Sequence, residues 1–191
     1  MDRTSELVEQ GEEILRKEEL HRHAARNSEE GAVVSAYGMG ASGGRLDRLE
    51  VVSMLNEALA TEVVCALRYR QHSFVAKGIS SPSVAKEFLE HSNDEWEHAD
   101  CLARRIVQLN GKPDLDPSEI SQKSLSDYSS GSSLEEMIRE NLISERVAIS
   151  SYRDAILNIG DRDPTTRRLL EGIRAKEEEH ADDMATLLGG V

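Results

Sequence analysis

Hydrophobic positions recur at helical spacing over four long stretches of the chain, separated by glycine, proline and serine. From Leu46 to about Ala76 the apolar residues Leu46, Leu49, Val52, Leu55, Leu59, Val63, Ala66, Leu67 and Phe74 step mostly by three or four, the period of one face of an α-helix. Gly78 punctuates the end of this stretch. A second stretch opens at Ser81-Pro82, a cap followed by a first-turn proline, and runs to Asn110-Gly111. Residues 112–131 hold two prolines and six serines and predict a crossover with room for one short helix. Ser132 or Ser133 starts a third helix, with Glu135 and Glu136 in its first turn, that reaches about Asn158 before Gly160. Asp163-Pro164 caps a fourth, which continues to Leu188 before Gly189-Gly190. Four helices of roughly 25–30 residues, each about 40 Å long at about 1.5 Å per residue, are joined by short links within each pair and a long link between the pairs. That order predicts an all-α, antiparallel four-helix bundle with one long crossover.

The first 45 residues break this pattern. A charged segment with a thin apolar stripe (Leu7, Ile14, Leu15, Leu20) gives way to a glycine-rich run that includes Gly38, Gly40, Gly43 and Gly44. The chain therefore divides into an N-terminal arm and linker, residues 1–45, partly flexible, and a bundle, residues 46–191. His21 and His23 in the arm read as positions on a solvated helix face.

Composition narrows the class. Aromatic residues make up only 4% of the 191 residues, which favours helix over sheet. The formal net charge of −13 repels nucleic acid and anionic membranes and attracts cations. No apolar stretch approaches the roughly 18 residues that a membrane helix needs. Met1-Asp2-Arg3-Thr4-Ser5-Glu6 lacks the apolar core of a signal peptide, and the two cysteines have no zinc-type spacing. A cytoplasmic protein that binds neither membrane nor DNA is the expectation.

The candidate chemistry lies in Glu95-Trp96-Glu97-His98-Ala99-Asp100. Glu95 and His98 are at i and i+3, so a helix presents carboxylate and imidazole on one face, one turn apart. A near copy, Glu177-Glu178-Glu179-His180-Ala181-Asp182, follows at an offset of 82 (180 − 98). The other two helices each carry a carboxylate in an apolar run, Glu62 and Glu145, at an offset of 83 (145 − 62). Tyr69 and Tyr152 follow these by seven residues each. Two helical hairpins related by an internal repeat thus deliver four carboxylates and two imidazoles to one level. Such a set suits two divalent ions, since oxygen-rich sites with some nitrogen fit iron or manganese without thiolate. Burying four carboxylates without cations costs several kcal/mol. The alternative is that Glu62 and Glu145 pair with arginines such as Arg68 or Arg146.

With these strings in place, residues 46–188 resemble the ferritin-like di-iron superfamily, of the bacterioferritin or Dps-like kind. The matching residues are Leu55-Asn56, Glu62, Asp94 to Asp100, Leu109-Asn110-Gly111-Lys112-Pro113, Glu145, and Glu177 with His180. The resemblance implies that Glu62, Glu95, His98, Glu145, Glu177 and His180 are both the metal ligands and the catalytic residues of a ferroxidase. It implies Glu95 and Glu177 as bridges between two iron ions per subunit, with Glu62, Glu145, His98 and His180 each on one ion. In the family, Fe(II) is oxidised by dioxygen or hydrogen peroxide, for iron storage and protection against oxidative stress, and the product enters a homo-oligomeric cage. Trp96 stands where bacterioferritins carry the haem-ligating methionine, so no haem of that kind is expected. Eleven residues follow His180 (191 − 180), with no room for the fifth helix of 24-subunit shells, which points to a dodecameric cage. Typical Dps proteins place their sites between subunits. A complete set within one bundle instead resembles the hybrid Dps-like class. The alternative reading is a di-metal peroxidase or manganese-catalase-like enzyme without mineral storage; a third is a non-catalytic helical interaction module.

Four further expectations concern the surroundings. Asp94 is placed to accept the far proton of His180 across the bundle, while its repeat counterpart is Lys176, so the two metal positions are unequal. Tyr69 and Tyr152 either serve the ligands, as hydrogen-bond donors or one-electron donors, or pack in the core with satisfied hydroxyls. Cys65 and Cys101 are separated by about 10 Å along antiparallel helices, too far for a disulfide, and read as buried free thiols. His72 and His91 flank the site by one or two turns; they read as solvent-facing or core-satisfied histidines, with the guiding of iron inward as the alternative.

Overall fold

A computed structural model describes residues 47–78 and 81–189. The expectations for residues 1–46, including His21 and His23, lie outside the described residues. Among the described residues five helices follow in order: α1 Arg48–Val75, α2 Ser81–Gln108, α3 Pro117–Lys123, α4 Leu134–Ile159 and α5 Pro164–Gly189. α1 packs along α2 and α4 along α5; the two hairpins meet through α1 on α4 and α2 on α5. The bundle with one crossover is the architecture predicted from the apolar spacing, and α3 is the short helix within the crossover.

Local chemistry explains where the helices begin and end. Asp47 caps α1 by accepting the Leu49 amide at 2.9 Å. Ser133 caps α4 by accepting the Glu136 amide, and Glu136 accepts back from the Ser132 amide at 2.9 Å, a reciprocal pair. Asp163 accepts the Thr166 amide at 3.0 Å at the head of α5 and also holds Arg105 from α2. α4 stops at Gly160, whose φ of +54° is open to glycine at little cost. Gly111 is required for another reason: a Cβ there would lie 2.7 and 2.8 Å from the two methyls of Val52.

α1 corrects one expectation. Leu49, Leu67 and Phe74 belong to its apolar series yet are exposed, Leu67 at 48% and Phe74 at 78%. The helix is apolar beyond the side that faces the bundle, so spacing alone overcounts its core positions.

The core is split in two. One apolar cluster joins Leu55, Leu59, Leu102, Ile106, Ile159 and Leu170 with their neighbours; the other joins Tyr69, Phe88, Ile138, Leu142 and Met184. Along α2, α4 and α5 the predicted ligands fall between these clusters, and on α1 Glu62 lies at the inner end of the first, just before Val63. The bundle therefore carries a polar layer sealed by apolar packing on both sides. The crossover is tied to α1 by side chains rather than by apolar contact alone. Asn56 bonds Lys112 and Asp114, Thr61 accepts the Leu125 amide, and Arg68 donates to the Asp127 carbonyl.

Candidate metal centre

The polar layer contains all six predicted residues. α1 supplies Glu62, α2 Glu95 and His98, α4 Glu145, and α5 Glu177 and His180. They form two overlapping sets whose donor atoms lie within 4.8 Å of one another: Glu62, Glu95, His98 and Glu177, and Glu95, Glu145, Glu177 and His180. Glu95 and Glu177 belong to both. Each histidine turns Nδ1 inward. His98 Nδ1 is 2.8 Å from Glu177 Oε1 and 3.3 Å from Glu62 Oε2 and Glu95 Oε2. His180 Nδ1 is 3.4 Å from Glu95 Oε1 and 3.5 Å from Glu177 Oε2. The four carboxylates are buried, as is His180, and His98 nearly so.

Five buried atoms of these sets have no hydrogen-bond partner: Glu95 Oε1, Glu145 Oε2, both Glu177 oxygens and His180 Nδ1. Orphaned buried polar atoms cost about 1–3 kcal/mol each, and more if charged. Divalent cations bound to oxygen and imidazole nitrogen would satisfy all five at once, so the residues fit a metal centre.

Protons and carboxylates share the layer unevenly. Burial pushes the Glu62 carboxyl up to about 8, helped by the charge of Glu95. Burial and the charges of Glu95 and Glu177 raise Glu145 well above the usual carboxylate range. Burial raises both Glu95 and Glu177, helped by the charge of Glu177 on Glu95 and of Glu62 on Glu177, but the adjacent histidines and carboxyls outweigh these and hold both low. Burial opposes a charge on His180, yet Glu177 and Glu95 lift it to about 11, and His98 is likewise raised by Glu177, Glu62 and Glu95. The two shared carboxylates are thus the most acidic members, and the residues belonging to one set carry the protons.

The tyrosines cross between the halves. Tyr69 on α1 donates to Glu145 Oε1 on α4, and Tyr152 on α4 donates to Glu62 Oε1 on α1. Both rings are buried in the core, so the hydroxyls serve candidate ligands while the rings pack. Glu62 and Glu145 do not take the arginine partners considered as an alternative. Arg68 directs its donors to Asn141 at 2.9 Å, to the Asp127 carbonyl and to Cys65 Sγ.

His180 Nε2 lies 3.1 Å from Asp94 Oδ2, across the bundle. On the other side Lys176 occupies the matching position and turns to Glu179 at 3.0 Å and Asp94 at 3.5 Å. Both cysteines are free. Cys65 is buried, but Cys101 is only half-buried and accepts from Arg104 at 3.2 Å. The expectation of two buried thiols is corrected for Cys101, because its step along α2 carries it toward the edge of the bundle. His72 is buried and satisfied: Asn141 Nδ2 reaches its Nδ1 at 3.0 Å, and its Nε2 reaches the Ser129 carbonyl at 3.1 Å. His91, also buried, stacks on His180 with ring centroids 4.0 Å apart.

Reading the sequence missed Asn141, which links Arg68 to His72. Its signal was a polar residue one turn before Glu145, on the same face of the helix. Also missed were Glu87 and Asp183 beside His91. Glu87 was visible as an i,i+4 partner on α2, whereas Asp183 joins them only through tertiary packing.

Comparison with known proteins places the chain in a family. The ferritin-like domain profile matches residues 52–191. The bacterioferritin of Mycobacterium avium is 30% identical over 140 residues, covering 73% of this chain and 84% of that protein. The bacterioferritin of Streptomyces coelicolor is 31% identical, covering 73% and 80% respectively. Among solved structures, the dodecameric thioferritin described as the bacterioferritin-related protein from Bacteroides fragilis superposes with a TM-score of 0.74 at 32% identity, covering 77% of this chain and 89% of that one. Dps from Thermosynechococcus elongatus shares the fold, with a TM-score of 0.71 at 22% identity. The chain belongs to the ferritin family and is related to the bacterioferritins. Among the described residues no helix is long and apolar enough to cross a membrane.

Proposed function

We propose that this protein is a ferritin-type ferroxidase subunit, which takes Fe(II) in pairs into the polar layer, oxidises it, and passes the ferric product to a cage for storage. One observation carries this reading: two donor sets of four residues share Glu95 and Glu177, so two cations can sit side by side with two carboxylates between them. Glu62 and His98 complete one position, and Glu145 and His180 the other. Each Fe(II) gives up one electron. Dioxygen accepting two electrons and two protons yields hydrogen peroxide, and peroxide accepting two more of each yields water, so a paired site matches either oxidant. The protons held on the outer carboxyls and imidazoles leave as the cations bind. Two metal positions of unequal strength follow from the Asp94 contact to His180 alone.

The family relationship supports iron as the metal and storage as the purpose over a di-metal peroxidase or catalase. The Bacteroides relative is described as a dodecamer, and the exposed Leu67 and Phe74 on α1 suit burial against further subunits. We propose a dodecameric cage for this chain, assembled in the cytoplasm, without haem and without DNA as a partner, and with residues 1–45 as an N-terminal arm and linker.

The deciding experiment is stoichiometric Fe(II) titration of the metal-free protein under dioxygen and then peroxide, with Glu95→Ala as control. Fast oxidation that saturates near two irons per chain, and is lost in the variant, is the expected result. Slow oxidation equal in both proteins overturns the proposal. Particle mass and iron content after aerobic loading separate storage from a two-iron enzyme in a small oligomer.

A further inference from the structure

Outside the paired site, one cluster of donors is organised around a buried histidine with unused bonding capacity. His91 on α2 is 3% exposed. Its Nε2 lies 3.4 Å from Glu87 Oε1, one turn earlier on the same helix, and 3.4 Å from Asp183 Oδ2 on α5. Glu87 is one-third exposed and Asp183 half exposed, so the imidazole points from the core toward a mouth lined by two carboxylates. The three donor atoms lie within 4.8 Å of one another.

The spacing is informative. A charge-assisted hydrogen bond between imidazolium and carboxylate settles at about 2.7–2.9 Å. Two ligands on one tetrahedral cation with bonds of about 2.1 Å stand about 3.4 Å apart. The ring is also held still. It stacks on His180 at 4.0 Å, nearly parallel, and meets the edge of Tyr69 at 5.2 Å. Its Nδ1 is buried without any hydrogen-bond partner. A buried histidine whose Nε2 stands between carboxylates from two helices departs from a structural residue, whose nitrogens are normally both satisfied; a cation on Nε2 would leave Nδ1 as it is. His72, one helix away, shows that satisfied pattern in this same bundle.

We infer that Glu87, His91 and Asp183 form a third divalent-cation site, distinct from the paired centre and touching it through the stacked rings of His91 and His180. Three protein donors leave the remaining positions to water, as expected for a site that exchanges its cation. One imidazole and two carboxylates suit Zn(II), Fe(II) or Mn(II). The site lies on the outer side of the His180 ring, where a cation arriving between α2 and α5 would meet it first. It does not depend on the ferroxidase reading, because it uses none of the six residues of the polar layer.

The test is Zn(II) binding to the metal-free protein, counted by equilibrium dialysis with metal analysis. Wild-type protein is expected to hold three ions per chain, and the Glu87→Gln/Asp183→Asn variant, altered only at partly exposed positions, two. A Glu95→Ala/Glu177→Ala variant, which lacks both shared carboxylates, is expected to keep one ion, lost again when His91→Ala is added. Equal Zn(II) content in wild-type and Glu87→Gln/Asp183→Asn protein overturns the third site, whatever the paired centre does. Loss of all Zn(II) from the Glu95→Ala/Glu177→Ala variant, with its helicity unchanged, also overturns it.

Discussion

The hydroxyl of Tyr69 on α1 donates to Glu145 on α4, and Tyr152 returns the same bond from α4 to Glu62 on α1. The repeat that relates the two hairpins is therefore closed by reciprocal bonds between them. Each tyrosine aims the carboxylate of the opposite half and shields it with a buried ring. Removing Tyr69 leaves both oxygens of a buried carboxyl unpartnered, since Glu145 Oε2 already lacks a partner.

Tyr69→Phe is accordingly expected to destabilise the metal-free protein by about 1–3 kcal/mol, the cost of an unsatisfied buried polar group. Metal should restore part of that loss, because a bound cation supplies the missing partner. Thermal unfolding with and without Zn(II) checks this; equal losses in both states would count against the bond as a support for the ligand.

Asp94→Asn is expected to weaken one of the two paired positions more than the other. The aspartate accepts from His180 Nε2, whereas His98 has Lys176 in the matching place. A partner that fixes a ligating imidazole is worth about 10–100-fold in affinity. Co(II) titration followed by absorbance should resolve two steps that lie closer together in the variant than in the wild type. Two equal steps in both proteins would sink the argument.

Metal loading at pH 7 is expected to release more than one proton per chain. Glu62 is raised to about 8 and His180 to about 11, and Glu145 and His98 are raised as well, while Glu95 and Glu177 are held low. Cations must displace those protons, so affinity falls as pH falls. Zn(II) addition in weakly buffered solution with a pH indicator measures the release. Fewer than one proton per chain would contradict this account of the layer.

His72 should make the fold acid-sensitive. Burial first, and the nearby Arg68 charge second, lower it from 6.5 to about 4. The unfolded chain therefore binds a proton that the folded chain refuses between these values, and stability present above pH 6.5 is lost as pH falls toward 4. The difference amounts to about 3 kcal/mol at about 1.4 kcal/mol per pKa unit. Protonation also places a donor at Nδ1 against the amide of Asn141, which is fixed by Arg68. His72→Gln should be less stable at pH 7 yet decline less steeply from pH 6.5 to 4 in denaturant melts. Parallel curves would assign the acid sensitivity elsewhere.

Much of this arrangement was legible in the residue order. A helix is a rod of fixed rise and turn, so Glu95 and His98, or Glu177 and His180, must leave one face together. Offsets of 82 and 83 residues between the halves, alike to within one residue, place Glu62, Glu145 and both Glu-His pairs at one level once the hairpins pack. The capping pair Asp163-Pro164 and the prolines of the crossover marked the boundaries because their backbone chemistry is local.

What the chain alone determined was therefore everything governed by short-range geometry: four long helices, their order, and the height of each candidate ligand. Tertiary structure decided what depends on rotation about the helix axes and on the path of the crossover. It set which hydroxyl meets which carboxylate, that Arg68 serves Asn141 rather than Glu145, that Cys101 sits at an edge, and that Leu67 and Phe74 face outward. It also brought Asp183 to His91 and laid His91 on His180. Spacing along one helix fixes angles within that helix, but contacts between helices follow from how side chains of both interdigitate, and that is settled only when the whole core packs.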